Sequence, residues 1–191
     1  MKSLLAALSF LTRLPVGRWA QFDATDVARS AGWFPLIGLL LGAICGAAAA
    51  LLREHLPLAI VAVVLLALDA LMTGALHFDG LADTADGFGG GKECEDVLRI
   101  MRDHSIGSYG GVALILLIAL KVVAYCVLLQ REHWFQAILL TAALGRWSML
   151  LLTATLPYAR KTSSIIEGMG KRSLVWGTLT PACALIVSQL W

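Results

Sequence analysis

Five long apolar stretches set the terms for this chain, at roughly 33–52, 56–76, 111–130, 134–156 and 174–190. Each comes close to the ~20 residues that an α-helix needs to cross the hydrocarbon core of a bilayer. Only 15% of the 191 residues are charged and 59% are hydrophobic, against roughly 25% charged in a soluble domain. A water-soluble surface cannot be built from that composition. The expected fold is all-α: a single polytopic membrane domain over 1–191, with about five spans. An interfacial or re-entrant N-terminal helix is expected in MKSLLAALSF, where Leu4, Leu8 and Leu11 share a face and Arg13 interrupts the apolar run.

Arg53, Glu54 and His55 separate the first two stretches, and Arg131, Glu132 and His133 separate the third and fourth. Both breaks predict tight helical hairpins. Two longer polar loops follow, at about 77–110 and 157–173. Alternating crossings put both loops and the N-terminus on one side with eleven Lys and Arg residues, leaving Arg53 and Arg131 on the other. That bias predicts that the polar loops are cytoplasmic. Cys45, Cys94, Cys126 and Cys183 have no zinc or redox spacing and are expected to be small buried hydrophobes. With no basic run and no aromatic platform, nucleic acid is not an expected partner.

Asp69, Lys121 and Arg146 fall inside the apolar stretches, where each requires a partner, a cavity or the interface. Asp69 and Lys121 can pair between helices. Arg146 is a candidate for a polar cavity and a functional anion.

The chemistry is concentrated in HFDGLADTADG, which begins at His77. On a helix, Asp79, Asp83 and Asp86 fall within about 60° of one another. Three carboxylates on one stripe repel unless a cation neutralises them, and no Lys or Arg lies between His77 and Lys92. Oxygen-only ligands favour magnesium, manganese or calcium over zinc. The small neighbours Gly80, Ala82, Ala85 and Gly87 allow a bulky ligand or another helix to come close. The run from Gly87 to Gly91 reads either as a phosphate-approaching loop or as a flexible linker; it lacks the Gly-Lys-Ser/Thr of a P-loop. Asp103 is a further candidate metal contact, and His104 reads as an ordinary loop histidine. Tyr158, Arg160, Lys161, Lys171 and Arg172 lie on the same expected side. A hard metal ringed by basic side chains suits a pyrophosphate substrate.

HFDGLADTADG followed by RIMRDHSIGSYGG resembles the signature of the cobalamin synthase (adenosylcobinamide-GDP ribazoletransferase) family. SFLTRLPVG, GWFPLIGLLLG, and YARK followed by GMGK match the family as well, so the resemblance runs along nearly the whole chain. It implies a Mg²⁺-dependent bacterial inner-membrane transferase that joins adenosylcobinamide-GDP to α-ribazole, or its 5′-phosphate, and releases GMP. Asp79, Asp83 and Asp86 would then be catalytic and, with Asp103, would hold the metal. His77, Gly87, Arg102, Arg146, Arg160 and Lys161 would contact substrate. The implied partners are the corrinoid nucleotide, α-ribazole and the lipid bilayer, and a homo-oligomer is open. Family members usually continue into further membrane segments with a glycine-rich acidic motif, which this sequence lacks.

Two other readings compete. A CDP-alcohol phosphotransferase also carries spaced aspartates on a membrane helix, but Asp83 and Thr84 stand where its pattern requires Ala-Arg. An ion or small-solute transporter would use Asp69, Lys121 and the acidic stripe as a path, without the support of an inverted repeat.

Overall fold

The computed structural model describes residues 2–18, 21–159 and 171–188. All regular structure among them is helical. In chain order the helices are α1 (Lys2–Leu11), α2 (Ala24–Ser30), α3 (Phe34–Leu52), α4 (Leu58–Thr73), α5 (Leu76–Gly90), α6 (Cys94–Ile100), α7 (Ser108–Leu128), α8 (Trp134–Thr155) and α9 (Lys171–Ser188). Three uninterrupted helical stretches have the length and hydropathy to cross a membrane: Ala24–Leu52, Ser108–Leu128 and Trp134–Thr155. A fourth results if α4 and α5, which meet at 90°, count as one bent span. The protein is therefore a multi-pass helical membrane protein, with three or four helices among the described residues long and apolar enough to span, where the sequence predicts about five. α4 stops after 16 residues, and the end of the stretch expected at 174–190 lies outside the described residues.

The helices form two compact units, Met1–Leu52 with Arg131–Trp191, and Arg53–Gln130. In the first unit α3 packs along α8. Its buried positions include Phe34, Ile37, Gly38, Leu41, Gly42, Cys45, Gly46 and Ala49, the spacing of one helical face. Gly38, Gly42 and Gly46 form a stripe at intervals of four. A Cβ on Gly38 would overlap the backbone of Ala142; on Gly42 it would stand 3.0 Å from Leu139 Cα; and on Gly46 it would meet the Phe135 ring at 2.6 Å. Lipid gives helices no hydrophobic reason to associate, so the close backbone approach that small residues allow supplies the packing energy.

α1 lies on α2 and α3, with Phe10 stacked on Phe34 at 5.6 Å between ring centroids. Its buried residues are Ala6, Ala7 and Leu11, so the inward stripe is not the expected Leu4, Leu8, Leu11 set. Small alanines allow α1 to lie closer than leucines would, and Leu4 and Leu8 stay half-buried. Asp23 caps α2 by accepting from the Asp26 N–H at 2.7 Å, and Asp26 returns a carboxylate oxygen to the Asp23 N–H. Asp26 also holds the Lys2 ammonium at 2.7 Å. Cys45 is buried, whereas Cys94 and Cys183 are exposed on the protein surface.

In the second unit α7 packs against both α4 and α5. α4 ends in two successive left-handed residues, Gly74 (φ 66°) and Ala75 (φ 59°). The Ala75 N–H donates back to the Ala70 carbonyl at 2.8 Å, which closes the helix end, and the Ala75 carbonyl accepts from Asp79 as α5 begins. This corner produces the 90° bend. Asp69 on α4 and Lys121 on α7 pair at 3.9 Å, and the Lys121 ammonium lies 5.3 Å from the centroid of the Phe78 ring on α5. One cation thereby links three helices.

The glycine stripe can be tested directly. Gly42→Leu should destabilise the first unit by about 1–3 kcal/mol through overpacking, read as a lowered midpoint in thermal unfolding in detergent. Substitution of Gly111, which has open space around its Cβ position, should leave the midpoint within error.

Candidate active site on the acidic helix

The segment expected as a polar loop at 77–110 is two helices and a short connection. HFDGLADTADGFGG is α5 itself, so the four-and-three spacing of its aspartates places them on one stripe. The glycine run expected as a loop is its last turn. Glycine is a poor helix former, but the space here is filled by neighbours: a Cβ on Gly87 would meet Met101 Cγ at 2.7 Å, and one on Gly89 would strike the Tyr109 ring. These glycines let the segment after α5 fold back against it. Gly87 is buried, which makes it a contact for Met101 and Val97 rather than an open surface for phosphate.

The three carboxylates have different environments. Asp86 is buried, at 9% exposure. Its Oδ2 accepts from the Gly107 N–H at 2.7 Å, and its Oδ1 accepts from the Gly110 N–H at 2.8 Å. Those two amides open α7, whose own N-cap residue Gly107 has no side chain to offer. The first turn of any helix leaves N–H groups without an intrahelical acceptor, and a carboxylate at that end also meets the positive pole of the helix dipole. Asp86 therefore caps α7 from another helix. The fit demands glycine on both sides: a Cβ on Gly107 or Gly110 would overlap the Asp86 carboxylate, and on Gly110 it would also stand 2.9 Å from the Ala82 carbonyl oxygen.

Asp79 is exposed and Asp83 half-buried one turn further on. No described residue donates a hydrogen bond or forms an ion pair to either. Asp83 instead lies within electrostatic reach of Asp79, Asp86 and His104. No three His, Cys, Asp or Glu side chains among the described residues converge in a way that could hold a metal ion. Two carboxylates without the third still suit Mg²⁺, which usually takes one or two protein carboxylates and completes its shell with water and substrate phosphates.

Of the other expected site residues, His77 and Arg102 are exposed in the same unit. Asp103 is exposed and accepts from the Ser105 N–H at 3.0 Å. That bond, with a second from the Ser105 side chain, holds the Asp103 carboxyl below its ordinary pKa, so it is ionised at neutral pH. Arg146 belongs to the first unit and is buried at 7% exposure, on the α8 face that also carries Ala143 and Leu150. Arg160 and Lys161 lie outside the described residues. His104, which reads as an ordinary loop histidine in the sequence, is exposed on the connection before α7 and lies within electrostatic reach of Asp83. Its place one residue after Asp103 and three before Gly107 was the available signal.

A helical multi-pass membrane protein that carries three aspartates along one short helix, set at 90° to the helix before it, is the class that fold and site define. The chain belongs to the cobalamin-5-phosphate synthase family, whose sequence model matches residues 3–191. Among curated relatives, an adenosylcobinamide-GDP ribazoletransferase from Klebsiella pneumoniae subsp. pneumoniae is 40% identical over 191 residues, covering 98% of this chain and 78% of that protein. One of the same name from Syntrophobacter fumaroxidans is 38% identical over 192 residues, covering 97% and 77%. Another from Shewanella frigidimarina is 47% identical over 115 residues, covering 60% and 44%. No solved structure matches.

If Asp86 caps α7, Asp86→Ala should lower stability by about 2 kcal/mol, through the lost cap and two stranded amides. Asp79→Ala, at an exposed position without a hydrogen-bond or ion-pair partner among the described residues, should change it by less than about 0.5 kcal/mol. Thermal unfolding in detergent distinguishes the two.

Proposed function

We propose that the protein is an adenosylcobinamide-GDP ribazoletransferase of the bacterial inner membrane, with its acidic helix facing the cytoplasm. It joins adenosylcobinamide-GDP to α-ribazole, or its 5′-phosphate, and yields adenosylcobalamin, or its phosphate, with GMP. The observation that carries this reading is the pair Asp79 and Asp83, two carboxylates one helical turn apart with no ion pair to a Lys or Arg among the described residues, in a chain matched by the family over 3–191. The relatives' printed names supply the reaction, and the excess of Lys and Arg in the polar loops supports the orientation.

Asp79 and Asp83 would hold Mg²⁺. Bound there with the pyrophosphate, it would neutralise the charge on the phosphate oxygens and on the departing GMP. The rest falls to the chain. The oxygen of an α-ribazole hydroxyl attacks the phosphorus attached to cobinamide. The bond from that phosphorus to the bridging oxygen breaks, and GMP departs with both electrons. The hydroxyl proton passes to a carboxylate oxygen of α5. Arg102, which follows α6 in the same unit, would meet phosphate charge.

The test is GMP release by purified protein in lipid, supplied with adenosylcobinamide-GDP, α-ribazole and Mg²⁺. Asp83→Asn should lower turnover by about two to three orders of magnitude while the protein still elutes as a folded membrane protein. Removal of the metal with EDTA should stop turnover, and added Mg²⁺ should restore it. Wild-type turnover in Asp83→Asn, or full activity in EDTA, would defeat the assignment.

A further inference from the structure

The connection between α6 and α7 is anchored to α5 at both of its ends. On one side Met101 packs into the space that Gly87 leaves. On the other, Gly107 and Gly110 donate to Asp86. Between these anchors lie Arg102, Asp103 and His104, and Asp103 folds the connection tightly through its bond to Ser105. Asp86 is thus bonded to the backbone that follows His104, and it stands one turn along α5 from Asp83. The two amide bonds leave Asp86 with its carboxylate turned to α7 and not to the open face where Asp79 lies.

We propose that Asp86 is a positioning residue, not a metal ligand: by gripping the first turn of α7 it holds the Arg102–Ile106 connection beside Asp79 and Asp83, the two α5 carboxylates that reach the cation. This rests on the proposed transferase reaction. It assigns different tasks to residues that look equivalent in sequence. Loss of the grip frees the connection, so substrate phosphate and the polar residues that meet it are misaligned, while the cation site keeps both of its carboxylates. Gly110 shares the task although it carries no functional group, because any side chain there evicts the Asp86 carboxylate.

Three measurements on the full chain in lipid nanodiscs decide it. The first is hydrogen–deuterium exchange of the wild type. First-turn helix amides ordinarily exchange fast, but those of Gly107 and Gly110 should be protected by roughly a hundredfold or more. The second is exchange in Asp86→Ala and Gly110→Ala, where segment 102–111 should speed up by at least about tenfold while α4 and the far half of α7 stay unchanged. The third is the metal. Both variants should bind Mn²⁺, followed by its paramagnetic resonance signal, within about twofold of wild type, and should lose kcat by about a hundredfold through misplacement. Asp83→Asn should lose Mn²⁺ binding.

Weakened Mn²⁺ binding in Asp86→Ala with wild-type behaviour in Gly110→Ala would make Asp86 a ligand and overturn the proposal, as would fast exchange at Gly107 and Gly110 in the wild type. The wild-type exchange experiment decides the matter even where a variant does not fold. It needs no turnover, so failure of the transferase reading, seen as no GMP from the wild type, is distinguishable from failure of the grip.

Discussion

Two hydrogen bonds from α7 to one carboxylate organise the polar half of this molecule. The first amides of a helix have no acceptor within the helix and must find one elsewhere. The N-cap residue of α7 is Gly107, which has no side chain to cap it. Asp86 supplies both acceptor oxygens from α5. The same contact buries a charge that would be costly alone, satisfies two donors, and fixes where the preceding connection can lie. α5 depends on it in return. Gly80, Gly87, Gly89 and Gly90 make α5 a poor helix by propensity, and it is ordered by what packs against it.

The first unit is held by different means. Its helices meet through small residues, with Gly38, Gly42 and Gly46 letting α3 settle onto α8 at backbone distance, and α9 joins α8 through the Trp147 indole N–H donating to Thr178 at 2.9 Å. Shape complementarity does there what a charged cap does in the second unit. The contrast follows from composition: apolar stretches leave only close contact and an occasional indole or hydroxyl to specify a partner.

Hydropathy made the long helices legible, because twenty apolar residues in a row admit few alternatives. α3, α7 and α8 begin and end within a few residues of where the pattern puts them. α4 was read too long because Gly74 ends it; glycine after an apolar helix is a stop signal, but the left-handed Ala75 that completes the corner has no signature in sequence. The aspartate stripe was legible from spacing. Its division into a cap and an open pair was not, because the partners of Asp86 lie 21 and 24 residues away, and no local pattern announces a cap delivered from another helix. The glycine run misled for a related reason: low propensity suggests a loop, and only the side chains of Val97, Met101 and Tyr109 explain a helix. The α3 stripe, three glycines at intervals of four, is visible in the sequence itself.

The sequence distance between Asp86 and its amides also sets an order of events during synthesis. The chain emerges N-terminus first, so the acidic helix leaves the ribosome before the segment that will complete it. Until then its carboxylate is kept in contact with water, since burial without a donor is prohibitive. The acidic helix therefore cannot be threaded into place as a finished piece; it matures only after its successor has been inserted. Biogenesis of this acidic surface is a late step, timed by the arrival of a transmembrane neighbour.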